Sequence, residues 1–193
     1  MNAKLVAVAF YAILAGCYQD PRPIVDAATL TPEKSPRAAW FNQTAVRIDL
    51  TTGHGSGVGL GGGVFLTAAH VTENAGTITV KTQDGKTGAA EVLWLNHAYD
   101  VSLVYVQELK DRAGSPMSCA ATEVGQEITI VGNPLNTEFA QSWGRVSSFG
   151  KTGLENLDKG LWRELVTLDA TAAPGVSGGP IYNQAGEIVG ILV

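Results

Sequence analysis

Charge is scarce in this chain. Only 16% of its 193 residues are Asp, Glu, Lys or Arg, against about 25% in ordinary globular domains. The balance is acidic, with 13 basic against 18 acidic residues and a net charge of −5. That leaves no basic footprint for nucleic acid, so none is expected as a partner. Low charge with 45% hydrophobic residues also excludes an intrinsically disordered chain. Cysteine is limited to two residues, too few for a disulfide framework. No apolar run reaches the roughly 20 residues of a membrane-spanning helix, and no segment keeps an amphipathic helical period over three turns. Glycine, by contrast, is abundant at 23 residues, well above the usual ~7%, which points to tight turns rather than long helices.

The two ends of the chain differ in character. Lys4 precedes an apolar or aromatic run over residues 5–15, which closes on Leu14-Ala15-Gly16-Cys17. The run is too short to span a bilayer and has the build of an export signal. Its closing tetrapeptide resembles a bacterial lipobox, in which small residues admit a lipoprotein signal peptidase and the cysteine thiol takes a diacylglycerol. The resemblance implies a signal peptide over residues 1–16, Cys17 as the acylated first residue, and attachment to the cell envelope by palmitate-type lipid rather than by a spanning helix. An ordinary secretory signal is the alternative. Residues 18–38 hold Pro21, Pro23, Pro32 and Pro36 among polar residues without hydrophobic period, as in a semi-extended tether.

Residues 39–193 are left for the fold. Short β-type runs recur at 45–50, 64–67, 77–82, 89–95, 101–106, 127–131, 139–149, 163–168, 180–182 and 188–193. Turn residues separate them, including the hairpin signal Asp84-Gly85. Even spacing of short strands predicts an all-β antiparallel barrel or sandwich.

Seven glycines crowd positions 53–63, and Gly57-x-Gly59-x-x-Gly62 formally matches a dinucleotide fingerprint. That motif works only where a helix N-terminus follows to hold the pyrophosphate. Here Val64-Phe65-Leu66-Thr67 follows, which is strand-like, so the glycines are expected to form a strand edge approached closely by another backbone. Three other segments carry chemistry. Thr67-Ala68-Ala69-His70 ends a strand in small residues beside an imidazole; Asp100-Val101-Ser102-Leu103-Val104 opens an apolar strand on a carboxylate. Pro174-Gly175-Val176-Ser177-Gly178-Gly179-Pro180 sets a serine among glycines, whose backbone freedom can aim successive N–H groups into one concavity. A nucleophile, a base and an acid to orient the base are the parts of covalent acyl transfer.

These segments resemble the trypsin/chymotrypsin-like serine proteases, and within them the bacterial HtrA (Deg-type) protease domain. The likeness runs over about residues 53–193. It takes in Gly55-Ser56-Gly57-Val58-Gly59, the histidine, aspartate and serine segments, the turn Val131-Gly132-Asn133-Pro134, and Gly186-Glu187-Ile188-Val189-Gly190-Ile191. It implies two six-stranded antiparallel β-barrels with the site in the cleft between them. Carried over residue by residue, Ser177 is the nucleophile, His70 the general base and then acid, and Asp100 the group that orients the imidazole. The backbone N–H groups of Gly175 and Ser177 form the oxyanion hole. Such chemistry needs no cofactor, and His54 and His97 lack metal-ligand spacing. Its base must be neutral, so activity should rise as pH climbs through the histidine range.

Two departures from the pattern stand out. Most relatives carry Asn or Asp at the position of Val176, where a polar side chain can brace the loop. The chain also stops sixteen residues after Ser177, earlier than in related domains, so the second barrel is expected to be C-terminally incomplete, with no PDZ domain. Arg22-Pro23-Ile24-Val25 suggests a zymogen-type cleavage, but the buried acid that would receive the new terminus is replaced by Val176. Cys119 is read as a buried or half-buried small hydrophobe, and Trp40, Trp94, Trp143 and Trp162 as core or barrel-edge residues. The leading expectation is a lipid-anchored serine endopeptidase acting on polypeptides in the cell envelope. A catalytically silent trypsin-like domain that binds peptides there is the competitor.

Overall fold

The structure is a computed structural model describing residue 41 and residues 43–135, 137–150, 155–156, 160–161 and 165–193. The proposed signal, Cys17, the tether, the Arg22–Val25 segment, Trp40 and Trp162 lie outside the described residues.

Seven strands form the first sheet: β1 (Ala45–Leu50), β2 (Gly53–Gly61), β3 (Val64–Thr67), β4 (Ile78–Thr82), β5 (Thr87–Ala89), β6 (Glu91–Asn96) and β7 (Val101–Tyr105), in the spatial order β5-β4-β1-β2-β3-β7-β6. The second sheet takes β8 (Glu127–Gly132), β9 (Ala140–Gly150), β12 (Leu165–Asp169), β13 (Pro180–Tyr182) and β14 (Ile188–Ile191), in the order β12-β9-β8-β13-β14. A short hairpin pairs β10 (Glu155–Asn156) with β11 (Gly160–Leu161). Every ladder within the sheets is antiparallel. A single turn of helix, α1 (Ala69–Thr72), follows β3. The fold is therefore all-β, two curled antiparallel sheets, as the strand spacing predicted.

The alternation that marked the strands is what builds the cores. In β4, Ile78, Val80 and Thr82 are buried while Thr79 and Lys81 are half-buried, the two-residue period of a sheet with one inward face. Ile48, Phe65, Val71, Val80 and Val104 fill the first sheet's interior, and Ile128, Ile130, Val146 and Ile181 the second's. A third cluster joins the sheets: Ala45 and Val58 from the first meet Val131, Tyr182 and Ile188 from the second, with Phe41 stacked on Tyr182 at a 4.9 Å ring separation. Full burial of each such side chain contributes about 1.5–3 kcal/mol, so this seam holds the sheets together.

Two expectations about strands change. The glycine-rich segment is not an edge. As β2 it lies between β1 and β3, with six register pairs to β1 from Ala45↔Val58 to Leu50↔Gly53. Five glycines in nine residues leave no side-chain pattern to read, but bare backbone lets neighbours close in on both faces. The expected run 89–95 divides into β5 and β6 around the half-buried Ala90, whose N–H still bonds Ile78 O of β4 at 2.9 Å before the chain turns to pair with β7. The Asp84-Gly85 hairpin forms between β4 and β5, with Gly85 at φ +82° and its N–H on Thr82 O at 2.9 Å.

Candidate active site

β3 runs out into the small residues Ala68 and Ala69, both wholly buried, and α1 then lifts His70 to the surface with its side chain 40% exposed. Asp100 sits at the start of β7, 3% exposed. Its φ of +51° is a left-handed conformation that Asp tolerates better than most residues. That turn aims both carboxylate oxygens at one partner. Oδ1 accepts the backbone N–H of His70 at 2.9 Å, and Oδ2 lies 2.6 Å from His70 Nδ1. An ionised carboxylate only accepts, so Nδ1 carries the ring proton and Nε2 keeps its lone pair. The two bonds offset the desolvation of a buried charge, which would otherwise cost several kcal/mol. Thr72 Oγ1 donates to the buried Ser102 Oγ at 2.8 Å, fastening α1 to β7.

The serine segment closes against these elements. Ala173-Pro174-Gly175-Val176 is a tight turn in which the Val176 N–H bonds Ala173 O at 3.2 Å. Proline second, glycine third at φ +99° is the type II pattern, where a β-carbon on the third residue would be strained. Ser177 O accepts the N–H of Ser56 on β2 at 2.8 Å. Gly178, at φ +81°, packs so tightly on Thr67 and Ala68 that an added Cβ would lie 2.9 Å from the Ala68 nitrogen. The serine turn therefore abuts the segment that leads into His70. Among the described residues, no hydrogen bond engages Ser177 Oγ, the Ser177 N–H or the Gly175 N–H. No hydrogen bond joins Ser177 Oγ to the His70 ring in this structure.

A family model described as "Trypsin-like peptidase domain" matches residues 55–191. The chain belongs to this family. Among curated relatives, the putative serine protease HhoA of Synechocystis sp. is 30% identical over 142 residues, which is 72% of this chain and 36% of HhoA. The periplasmic serine endoprotease DegP of Salmonella typhimurium is 31% identical over 141 residues, 68% of this chain and 29% of DegP. The chain thus spans about a third of the length of these relatives. Among solved structures, the Rv3671c protease in an inactive form aligns with a TM-score of 0.73 at 21% identity, over 81% of this chain and 80% of that one. That likeness is one of fold.

Within this trypsin-like peptidase domain, Val176 does not meet a polar socket. It is 4% exposed and packs with Ile128, Ile130, Val146 and Ile181, so valine suits its surroundings. A cavity of about 390 Å³ borders the loop, lined by Val176, Ala173, Thr171, Trp143 and Ile130 among others. Two assignments are corrected. Cys119 is exposed, in a segment with little secondary structure, rather than a buried hydrophobe. Trp143 is 70% exposed on the outer face of β9, and Trp94 is 48% exposed on the edge strand β6; of these two described tryptophans, Trp94 fits the barrel-edge expectation. His97 makes a 3.8 Å approach to Glu73 at the surface, and its carbonyl accepts the Asp100 N–H at 3.3 Å, so it supports the turn before β7 through its backbone.

Sequence reasoning missed three residues that touch the serine loop. Ser56 Oγ donates to Gly175 O at 2.7 Å and Asn133 lies behind it. His54 Nε2 is 2.7 Å from Asn133 O, close enough to Gly175 that a β-carbon there would sit 2.5 Å from the ring nitrogen. His54 had been set aside for lacking metal-ligand spacing. Its position in the strand facing the serine loop, readable only once β2 is paired, was the missing signal.

Proposed function

We propose that this domain is a serine endopeptidase in which Ser177 attacks the scissile carbonyl, His70 Nε2 takes its proton and returns it to the leaving amine, and Asp100 holds the productive tautomer. The N–H groups of Gly175 and Ser177 receive the developing oxyanion. The observation that carries this reading is the Asp100 carboxylate, buried and spent entirely on His70, next to a serine flanked by two uncommitted N–H donors. The Ser177–His70 hydrogen bond forms when a substrate fills the cleft, since catalytic hydrogen bonds are often made fully only in the substrate complex. The substrates are polypeptides, entering as extended segments.

The relatives named periplasmic endoproteases favour the cell envelope as the place of action. The lipobox-like Leu14-Ala15-Gly16-Cys17 adds acylation of Cys17, residues 17–38 as a tether, and a protease domain over residues 39–193. A fluorophosphonate probe tests the chemistry. Ser177 should be labelled and Ser177→Ala should be silent; an unlabelled wild type would favour the peptide-binding competitor. For the anchor, Cys17→Ser should abolish uptake of labelled fatty acid, and a variant that still takes it up refutes lipidation there.

A further inference from the structure

The proposed oxyanion donor, the Gly175 N–H, belongs to a glycine, the residue type with the fewest backbone constraints. Glycine flips between conformations at little cost, and Val176 beside it offers no polar side chain to stop it. Something else must fix the two peptides that flank Gly175.

One is the Pro174–Gly175 peptide. Its carbonyl accepts the Leu135 N–H at 2.8 Å, and in a trans peptide the N–H points opposite to the carbonyl, so the Gly175 N–H is turned away from Leu135. The other is the Gly175–Val176 peptide, whose N–H makes the long turn bond to Ala173 O at 3.2 Å and whose carbonyl accepts the shorter bond from Ser56 Oγ at 2.7 Å. A serine hydroxyl has one proton and two lone pairs. Asn133 supplies a donor to each lone pair, its backbone N–H at 2.9 Å and its Nδ2 at 3.0 Å. The Ser56 proton therefore has a single place to go, the Gly175 carbonyl. Asn133 is itself held: Nδ2 also approaches Val46 O at 3.2 Å, Oδ1 accepts the Phe139 N–H at 3.0 Å, and its carbonyl takes His54 Nε2 at 2.7 Å. Ser56 and Asn133 are 0% and 1% exposed, so no water competes for these bonds.

We infer that Ser56, with its proton directed by Asn133, is a positioning residue for catalysis: by holding the Gly175–Val176 peptide on one side of Gly175, as Leu135 holds the Pro174–Gly175 peptide on the other, it fixes the Gly175 backbone so that its N–H keeps its direction toward the reacting carbonyl. It does from β2 what a polar residue at position 176 would do from inside the loop. The inference rests on the triad reading above, and its test separates the two.

The test compares wild type with Ser56→Ala on fluorescein-labelled casein and on a fluorophosphonate probe, alongside thermal melting. Losing one oxyanion donor outright costs about 10²–10³ in kcat. Loosening one should cost about 10–100-fold in kcat and in labelling rate, with KM within about twofold and the fold retained. A kcat and labelling rate within twofold of wild type overturn the inference. So does a rise in KM at unchanged kcat, which reports a deformed cleft instead. Ser56→Cys, with a weak donor of similar size, carries the same comparison if the alanine variant does not fold. If the wild type is inert the triad reading fails, and the crystal structure of the variant then decides the positioning role alone. A Gly175 peptide that keeps its orientation without the hydroxyl overturns it.

Discussion

Replacing Asp100 with asparagine is the sharpest perturbation of the proposed machinery, because the geometry dictates how the new amide must sit. Oδ1 of Asp100 accepts the His70 backbone N–H at 2.9 Å. The amide oxygen has to take that place, since turning the NH₂ group there would set two donors face to face and leave a buried N–H unsatisfied at about 1–3 kcal/mol. The NH₂ group then faces His70 Nδ1, where Oδ2 stood at 2.6 Å. Nδ1 must become the acceptor, its proton moves to Nε2, and the lone pair that would take the Ser177 proton is gone. This wrong-tautomer outcome lowers kcat by about 10⁴ in a serine protease with the same constellation. A factor of that size is about 5.4 kcal/mol of transition-state stabilisation.

The backbone does not resist the change. Asparagine, like aspartate, tolerates left-handed angles such as the φ of +51° here, and a neutral side chain at a 3% exposed position removes a desolvated charge. Melting should therefore shift by no more than about 4 °C. The assay is the fluorophosphonate labelling rate with casein turnover, measured beside a thermal melt. A loss of less than tenfold in a folded Asp100→Asn protein would refute the role given to Asp100. Loss of activity with loss of the fold would refute the claim that the geometry is spared.

Two further outcomes follow from the packing. Val176→Asn places an amide in the apolar cluster of Ile128, Ile130, Val146 and Ile181, where the cost of an unpaired polar group is about 1–3 kcal/mol; denaturant unfolding reads it, and a variant as stable as wild type would show that the socket can satisfy an amide. Tyr182, wholly buried with its hydroxyl 3.0 Å from Thr44 Oγ1, is held above the ordinary phenol value of 10.0, chiefly by desolvation, with the bonds to Ser115 and Thr44 partly opposing. A raised phenol keeps its proton longer in the folded chain than in the unfolded one. Its contribution is therefore complete below pH 10 and lost as pH rises from there through the folded value. Tyr182→Phe should cost about 1 kcal/mol at neutral pH and flatten the alkaline decline; parallel stability curves above pH 10 would contradict this.

What could be read from the sequence follows from which forces leave a local trace. β1, β3 and β13 coincide with the expected runs residue for residue, because alternation and flanking turn residues are local. β2 left no such trace: nine residues, GHGSGVGLG, offer nothing for a period to act on, and only the pairing with β1 reveals a central strand. The His70, Asp100 and Ser177 segments stood out because strand ends and glycine turns have short-range signatures. Trp143 and Cys119 were misplaced because hydrophobic residue types are common at protein surfaces, so type alone does not assign burial. Ser56, Asn133 and His54 stayed hidden for a different reason. Their bonds join residues 77 to 119 positions apart, and no motif records a contact made only after two sheets have closed.

That dependence on closure explains how valine can stand at position 176. A polar brace inside the serine loop would have to be satisfied within an apolar cluster, at the cost set out above. The seam between the sheets already contains backbone groups that need partners whatever residue 176 is: Gly175 O, Val46 O, the Phe139 N–H and the Asn133 N–H. One serine from β2 and one asparagine after β8 satisfy all four, and in doing so tie the loop to both sheets at once. The orientation of the Gly175 peptide then becomes a property of the docked pair of sheets, not of the loop sequence. Loosening the seam at Val58 or Val131 should therefore lower kcat through the oxyanion side while the His70–Asp100 pair, carried entirely by the first sheet, keeps its geometry.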